Sequence, residues 1–199
     1  MKRLLLYFAA LLALVSQSSC GYNGMVQRDQ AVKTSWANVQ SQYQRRSDLI
    51  PNLVNTVKGA ANFEKSTLEG VVEARAKATS VNISADQLTP ENIQKFQAAQ
   101  DQLKQGLGRL IAVSENYPEL KANANFQELQ AQIEGTENRI SVARDGFNST
   151  VNDYNTFTRS FPNNLFAGMF GFAPKGYFEA DAGAKDAPKV DFGDMSGKN

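Results

Sequence analysis

From Val32 onward the apolar side chains fall at Val32, Trp36, Val39, Tyr43, Ile50, Leu53, Val57 and Ala60. Steps of three and four are the signature of one buried face of an α-helix. Tyr43 and Ile50 are two helical turns apart, so the phase carries through Pro51. A proline inside a helix loses one hydrogen bond and clashes with the carbonyl four residues back, which kinks the rod. The pattern therefore predicts one long helix from about Met25 to Thr79, bent near Ser47. The competing arrangement starts a fresh helix with Ser47 or Asp48 as N-cap and Pro51 in its first turn, where proline is tolerated.

Two further helices follow. Residues 80–88 break the pattern, and Thr89-Pro90-Glu91 supplies a capping hydroxyl, a first-turn proline and an acid at the positive helix end. Phe96, Leu103, Leu110 and Tyr117 then repeat by sevens, a coiled-coil-like seam that ends before Pro118. Gly106 and Gly108 weaken this helix and admit a close neighbour. The third helix begins near Asn123 or Asn125 and runs to about Phe161. Its seam is Phe126, Leu129, Ile133, Ile140, Phe147, Val151, Tyr154 and Phe161. At 1.5 Å per residue the three rods measure about 80, 40 and 55 Å. Short connections make neighbours antiparallel. The expected fold is all-α: an elongated up-and-down bundle of three long helices, or four if the Pro51-bent first helix is counted as two.

The two ends of the chain differ from this middle. Met1-Lys2-Arg3 is a short basic stretch, and Leu4 to Val15 is an unbroken apolar run. Twelve residues rise only about 18 Å as a helix against a hydrocarbon core of about 30 Å, so the run reads as a secretory leader. Ser18, Ser19 and the only cysteine, Cys20, follow. A single exported cysteine has no internal disulfide partner, and a lipid acceptor explains its isolation. Gln17 stands where a bacterial lipobox usually has leucine. The expected division is a signal peptide over 1–19, the bundle over 20–161, an apolar cap over 162–182 and a disordered tail over 183–199. Leu165, Phe166, Phe170 and Phe172 are expected to close the end of the bundle. In a three-helix arrangement the last helix ends far from the anchor, which argues against a membrane role for that segment.

Charge and composition narrow the chemistry. There are 21 Lys and Arg against 20 Asp and Glu, with no basic stripe of the kind nucleic-acid binding requires. The chain has no histidine. That removes His-based triads and the commonest zinc ligand. No phosphate-binding loop, metal-ligand spacing or cofactor motif is present. The chain therefore reads as a non-enzyme without cofactor. Arg46 and Arg75 fall on seam positions, and Arg144 follows Ile140 by one turn, with Asn148, Asn152 and Asn155 continuing the row. A buried, unpaired arginine costs several kcal/mol, so each needs a partner. Asp48, Glu73, Glu115, Glu137 and Asp145 are the candidates. One reading has these pairs fix the bundle register. The other has Arg45, Arg46, Asp48, Asn52 and Arg144 form one exposed partner-binding patch at the Pro51 kink, where the proline frees a backbone carbonyl.

Several stretches together resemble the LemA family of bacterial envelope proteins. They are WANVQSQYQRRSDLIPNLVNTVKG, EARAKA at Glu73 to Ala78, SENYPELKAN at Ser114 to Asn123, ARDGFNSTVNDYN at Ala143 to Asn155, and the closing FPNN…FGF…YF. The resemblance implies a helical, membrane-attached protein and supplies no established activity. The expected function is a scaffold or adaptor in the bacterial cell envelope, tethered through Cys20 and holding a protein partner. A carrier of apolar ligands between the helices and a carboxylate-dependent hydrolase are the alternatives.

Overall fold

The computed structural model describes residues 2–59 and 63–180, and of residues 2–20 the backbone alone. Lipidation of Cys20 and the tail over 183–199 lie outside the described residues. Helix α1 spans Lys2–Lys58 and passes through Pro51 without interruption. Its buried stripe is Met25, Val32, Trp36, Val39, Tyr43, Arg46, Ile50, Leu53 and Val57, the seam read from the sequence with an arginine set into it.

At Pro51 the competing arrangement falls, and one expectation about this region needs correction. No new helix starts at Ser47 or Asp48. The first helix also does not reach Thr79: it ends at Lys58, and α2 (Lys65–Ser80) returns antiparallel to it. The break falls at Gly59, whose N–H bonds the Thr56 carbonyl at 3.2 Å. The error has a physical origin. Val57 and Val71 are fourteen residues apart, four helical turns, so the apolar phase is the same on both sides of the reversal. Periodicity reports which face is buried and carries nothing about direction. Gly59, a helix-ending residue in an overlong periodic stretch, was the available signal.

Helix α3 (Pro90–Ser114) starts as expected, with the Thr89 hydroxyl accepting from the Asn92 N–H at 3.3 Å and Pro90 in the first turn. A methyl on Gly106 would lie 3.8 Å from Val71 and Ala74, in ordinary contact, and Gly108 faces open space. Neither glycine is therefore needed for a close approach. A short α4 (Pro118–Lys121) turns the chain into α5 (Ala124–Arg159). Asn123 is the cap: its side-chain oxygen accepts from the N–H groups of Asn125 and Phe126. Helix α6 (Asn164–Ala167) is a single turn, and residues 172–180 follow as an extended strap.

The described residues form an all-helical, up-down-up-down bundle of α1, α2, α3 and α5. Helix α5 runs antiparallel to α1, with Phe157 against Gly24, Asp153 against Arg28 and Glu137 against Arg46. Two apolar clusters fill it. One gathers Trp36, Tyr43, Phe96, Phe147, Tyr154 and Phe178, and the other Ile50, Leu53, Leu103, Leu110, Phe126 and Ile133.

Because the rods number four, the end of α5 lies beside Gly21, where α1 enters the bundle. A Cβ on Gly21 would sit 2.6 Å from the Asn163 side-chain oxygen. The expectation that the C-terminal segment sits at the far end from the start of the bundle is overturned by this helix count. The cap expectation holds only in part: Phe166 and Phe172 are half-buried, whereas Leu165 and Phe170 stay 61% and 53% exposed. Phe161 lies beyond α5 and is 81% exposed, so it leaves the seam assigned to it.

Candidate functional site: a polar groove across the middle of the bundle

Between the two apolar clusters lies a polar layer built on Arg46. Its side chain is almost fully buried because it occupies a seam position of α1 facing α3 and α5. The guanidinium donates to Glu137 Oε1 at 2.6 Å, to Gln100 Oε1 at 2.7 Å and to the Gln100 carbonyl at 3.2 Å. The amide of Gln100 donates onward to the Ala78 carbonyl at 3.1 Å. One arginine thus ties all four long helices together at one level. The charge-assisted, nearly fixed geometry makes this a register device: a one-turn slip of any helix would leave Arg46 in a low-dielectric interior without its carboxylate. Of the guanidinium nitrogens, Nε has no partner.

Glu137 is the half-exposed member of the layer, with 27% of its side chain accessible. It stands at the floor of a groove of about 470 Å³ lined by Tyr43, Asp101, Lys104, Arg144 and Asp145 among others, with Glu179 and Ala180 of the strap along one edge. Burial pushes the Tyr43 phenol up to about 12, against the opposing pull of Arg144 and Arg46. The groove therefore presents a neutral phenol and fixed charges of both signs near neutral pH.

The strap is held along α5 and α3 by a ladder of side-chain amides. Asn155 donates to the Lys175 carbonyl and accepts from the Lys175 N–H, both at 2.9 Å. Asn148 makes the same pair with Phe178 at 2.9 Å. Gln97 repeats it with Glu179 at 3.1 and 3.0 Å. Each amide turns one N–H and its carbonyl oxygen to the strap, which is what one residue of extended backbone requires. Gly176 donates to the Leu88 carbonyl at 2.9 Å. Phe178 plugs the aromatic cluster, its ring 5.5 Å from Phe147 and 6.1 Å from Trp36. Arg144 donates to the Glu179 carbonyl at 2.6 Å and lies over the Phe178 ring.

The five residues expected in one exposed patch are divided. Arg46 is buried, and Arg144 turns to the strap. Arg45, Asp48 and Asn52 lie on the solvent face of α1, where Asp48 accepts from Gln44 at 2.7 Å. The steps of one, two and four residues explain the split: positions 45, 48 and 52 fall within about 60° of one another around the helix, and 46 is turned about 100° or more away from them. The Ser47 carbonyl is the one that the missing Pro51 N–H would have bonded, and Arg75 Nε donates to it at 2.9 Å. Sequence reasoning missed the strap's role. The seven-residue spacing of Asn148 and Asn155 marked a row of polar side chains on α5 but gave no hint of what they hold.

A family model for the LemA family matches residues 35–192. That stretch covers the polar layer, the proline cap and the strap. The chain belongs to the LemA family. Among curated relatives it is similar to magnetosome protein MamQ 2 of Paramagnetospirillum magneticum, 24% identical over 198 residues, which span 91% of this chain and 72% of the relative. It matches magnetosome protein MamQ of Magnetospirillum gryphiswaldense at the same identity and coverage. Protein LemA of Metamycoplasma hominis is 23% identical over 163 residues, 81% of this chain and 68% of that protein. Among the described residues no helix is long and apolar enough to cross a membrane.

Proposed function

We propose that this LemA-family chain is a membrane-anchored, non-catalytic scaffold of the bacterial envelope that holds a protein partner in the groove beside Glu137. The carrying observation is α1 itself. From Gly21, next to Cys20, one unbroken helix leads into the bundle and supplies Arg46 to the polar layer. From Gly21 to Arg46 it rises roughly 38 Å, enough to hold the groove clear of a bilayer. The relatives that are magnetosome proteins support an association with membranes. Glu137 is already paired with Arg46, which takes that one carboxylate of the groove away from hydrolysis. Lipid on Cys20 is the tether in this reading, and stable attachment requires more than one acyl chain.

Photo-crosslinking in native membranes tests the scaffold. A photoreactive residue at Asn138 or Ser141, both exposed at the groove, is expected to trap one reproducible partner. The same residue at Asn52, on the outer face of α1, is expected to trap none. Equal capture from all three positions, or none from the groove, removes the groove from the proposal.

A further inference from the structure

The end of the bundle beside Gly21 carries apolar side chains that the core does not use. Phe161 is 81% exposed, Met169 77%, Leu165 61% and Phe170 53%, with Tyr22 at 43% and Val26 at 41%. Tyr22 packs edge-on against Phe170 at 5.2 Å and Phe172 at 5.8 Å, which joins the start of α1 to the segment that carries Phe161, Leu165 and Met169. Asn163 lies against Gly21, which brings the α6 turn level with the point where α1 enters the bundle. Contiguous exposed apolar surface of this kind marks an interaction site.

We propose that this apex is a second membrane contact, in which Phe161, Leu165, Met169 and Phe170 seat in the interface of an anionic bilayer. The proposal rests on the anchored reading above and adds to it a site of its own. Position argues for lipid over any other occupant. A bilayer that holds the chain by residues up to Cys20 lies across this same end. Tyr22 is two residues past Cys20, about 3 Å of helical rise, within the headgroup zone. Charge agrees with this. Residues 21–28 and 159–178 contain no Asp or Glu, while Arg159 is exposed at the end of α5. Among the described residues, Asp29 and Asp153 lie deeper along the rods and are tied to Lys33, Lys175 and Arg28. A tether alone leaves the rod free to tilt, and a second contact beside it fixes the bundle's orientation, and so the direction in which the groove faces.

Bromine quenching in reconstituted vesicles tests this. The full-length membrane-purified chain is placed in phosphatidylethanolamine and phosphatidylglycerol vesicles with brominated acyl chains, carrying Phe161→Trp or Met169→Trp. Trp36, buried in the core, is a constant background. Val142→Trp is the control, exposed at mid-bundle. The fluorescence added at 161 and 169 is expected to fall by roughly half, as for side chains seated about 5–10 Å into the boundary. That at 142 stays unchanged. Adding Leu165→Glu to Phe161→Trp, both at exposed positions, abolishes the quenching without unfolding the bundle. A chain that floats with the vesicles and shows no quenching overturns the second contact and leaves the tether standing. A chain that stays in solution overturns both. A blue shift without bromine quenching, together with a dimer in sedimentation, gives the apex to a second copy and also overturns the proposal.

Discussion

Pro51 leaves a gap in the α1 ladder that Arg75 closes from a neighbouring helix. The perturbation is a double-mutant cycle with Pro51→Ala and Arg75→Ala. In the native chain, removing Arg75 strips the Ser47 carbonyl of its donor. Ser47 is only 4% exposed, so water replaces that donor poorly. A hydrogen bond from a charged group is worth about 1.5–3 kcal/mol, and the half-buried position of Arg75 puts the expected loss at roughly 2 kcal/mol. In the Pro51→Ala background the substituted alanine supplies the missing N–H. The same Arg75→Ala change then costs under about 1 kcal/mol, which makes a coupling energy of roughly 1–2 kcal/mol. Pro51→Ala alone raises stability, since an interior proline costs up to about 3 kcal/mol. Urea unfolding followed by far-ultraviolet circular dichroism measures all four proteins. If Arg75→Ala costs the same in both backgrounds, Arg75 is not capping the proline gap, and the account of why a proline is tolerated there fails.

Glu137→Gln leaves the buried Arg46 without its counter-charge. Because Glu137 is partly hydrated, the expected loss is about 1–3 kcal/mol, or roughly 2–12 °C in Tm, read by calorimetry. Arg46→Met is expected to cost less than Glu137→Gln, since the released carboxylate can hydrate in the groove; the reverse order would contradict a buried register pair. Gly176→Ala places a Cβ 2.6 Å from Pro90 Cα and 3.0 Å from the Thr89 carbonyl oxygen. Those are backbone atoms that cannot yield, so the strap should lift, losing about 1–3 kcal/mol. Faster amide exchange over residues 172–180 is the expected readout, and unchanged exchange would refute the tight docking. At alkaline pH, the folded Tyr43 keeps its proton up to about 12 while the unfolded chain loses it near 10.0. That contribution is complete below the lower value and is lost as pH rises through the upper one, about 3 kcal/mol in all. A Tyr43→Phe variant without this extra alkaline loss is the expected comparison, and identical pH profiles would refute it.

The buried stripes, the caps at Thr89 and the start of α5, and the need of Arg46 for a carboxylate were legible in the sequence because they are local. Each follows from side-chain spacing within a few turns or from the cost of one buried charge. Glu137 stood among the candidate partners, but nothing in the sequence chose it over Asp48 or Asp145, because that choice depends on how α5 is aligned with α1. The patch of five residues failed for the same reason. Adjacent positions 45 and 46 lie about 100° apart around a helix, and only packing reveals which of them faces solvent.

Direction is what the apolar pattern cannot encode. The phase held across Gly59 while the chain reversed, so a bundle of four rods read as one of three. That single reversal moved the end of α5 from the far pole to the side of Gly21, and turned an apolar segment remote from the start of the bundle into one adjacent to it. The strap was equally hidden, since an extended stretch without periodicity announces no partner, and its backbone is satisfied by amides on two other helices. The sequence determined which faces are buried and which charge must be paired. Tertiary structure alone decided who meets whom, because contacts between distant segments depend on turns whose geometry is set by a few residues and whose consequences are felt along the whole rod.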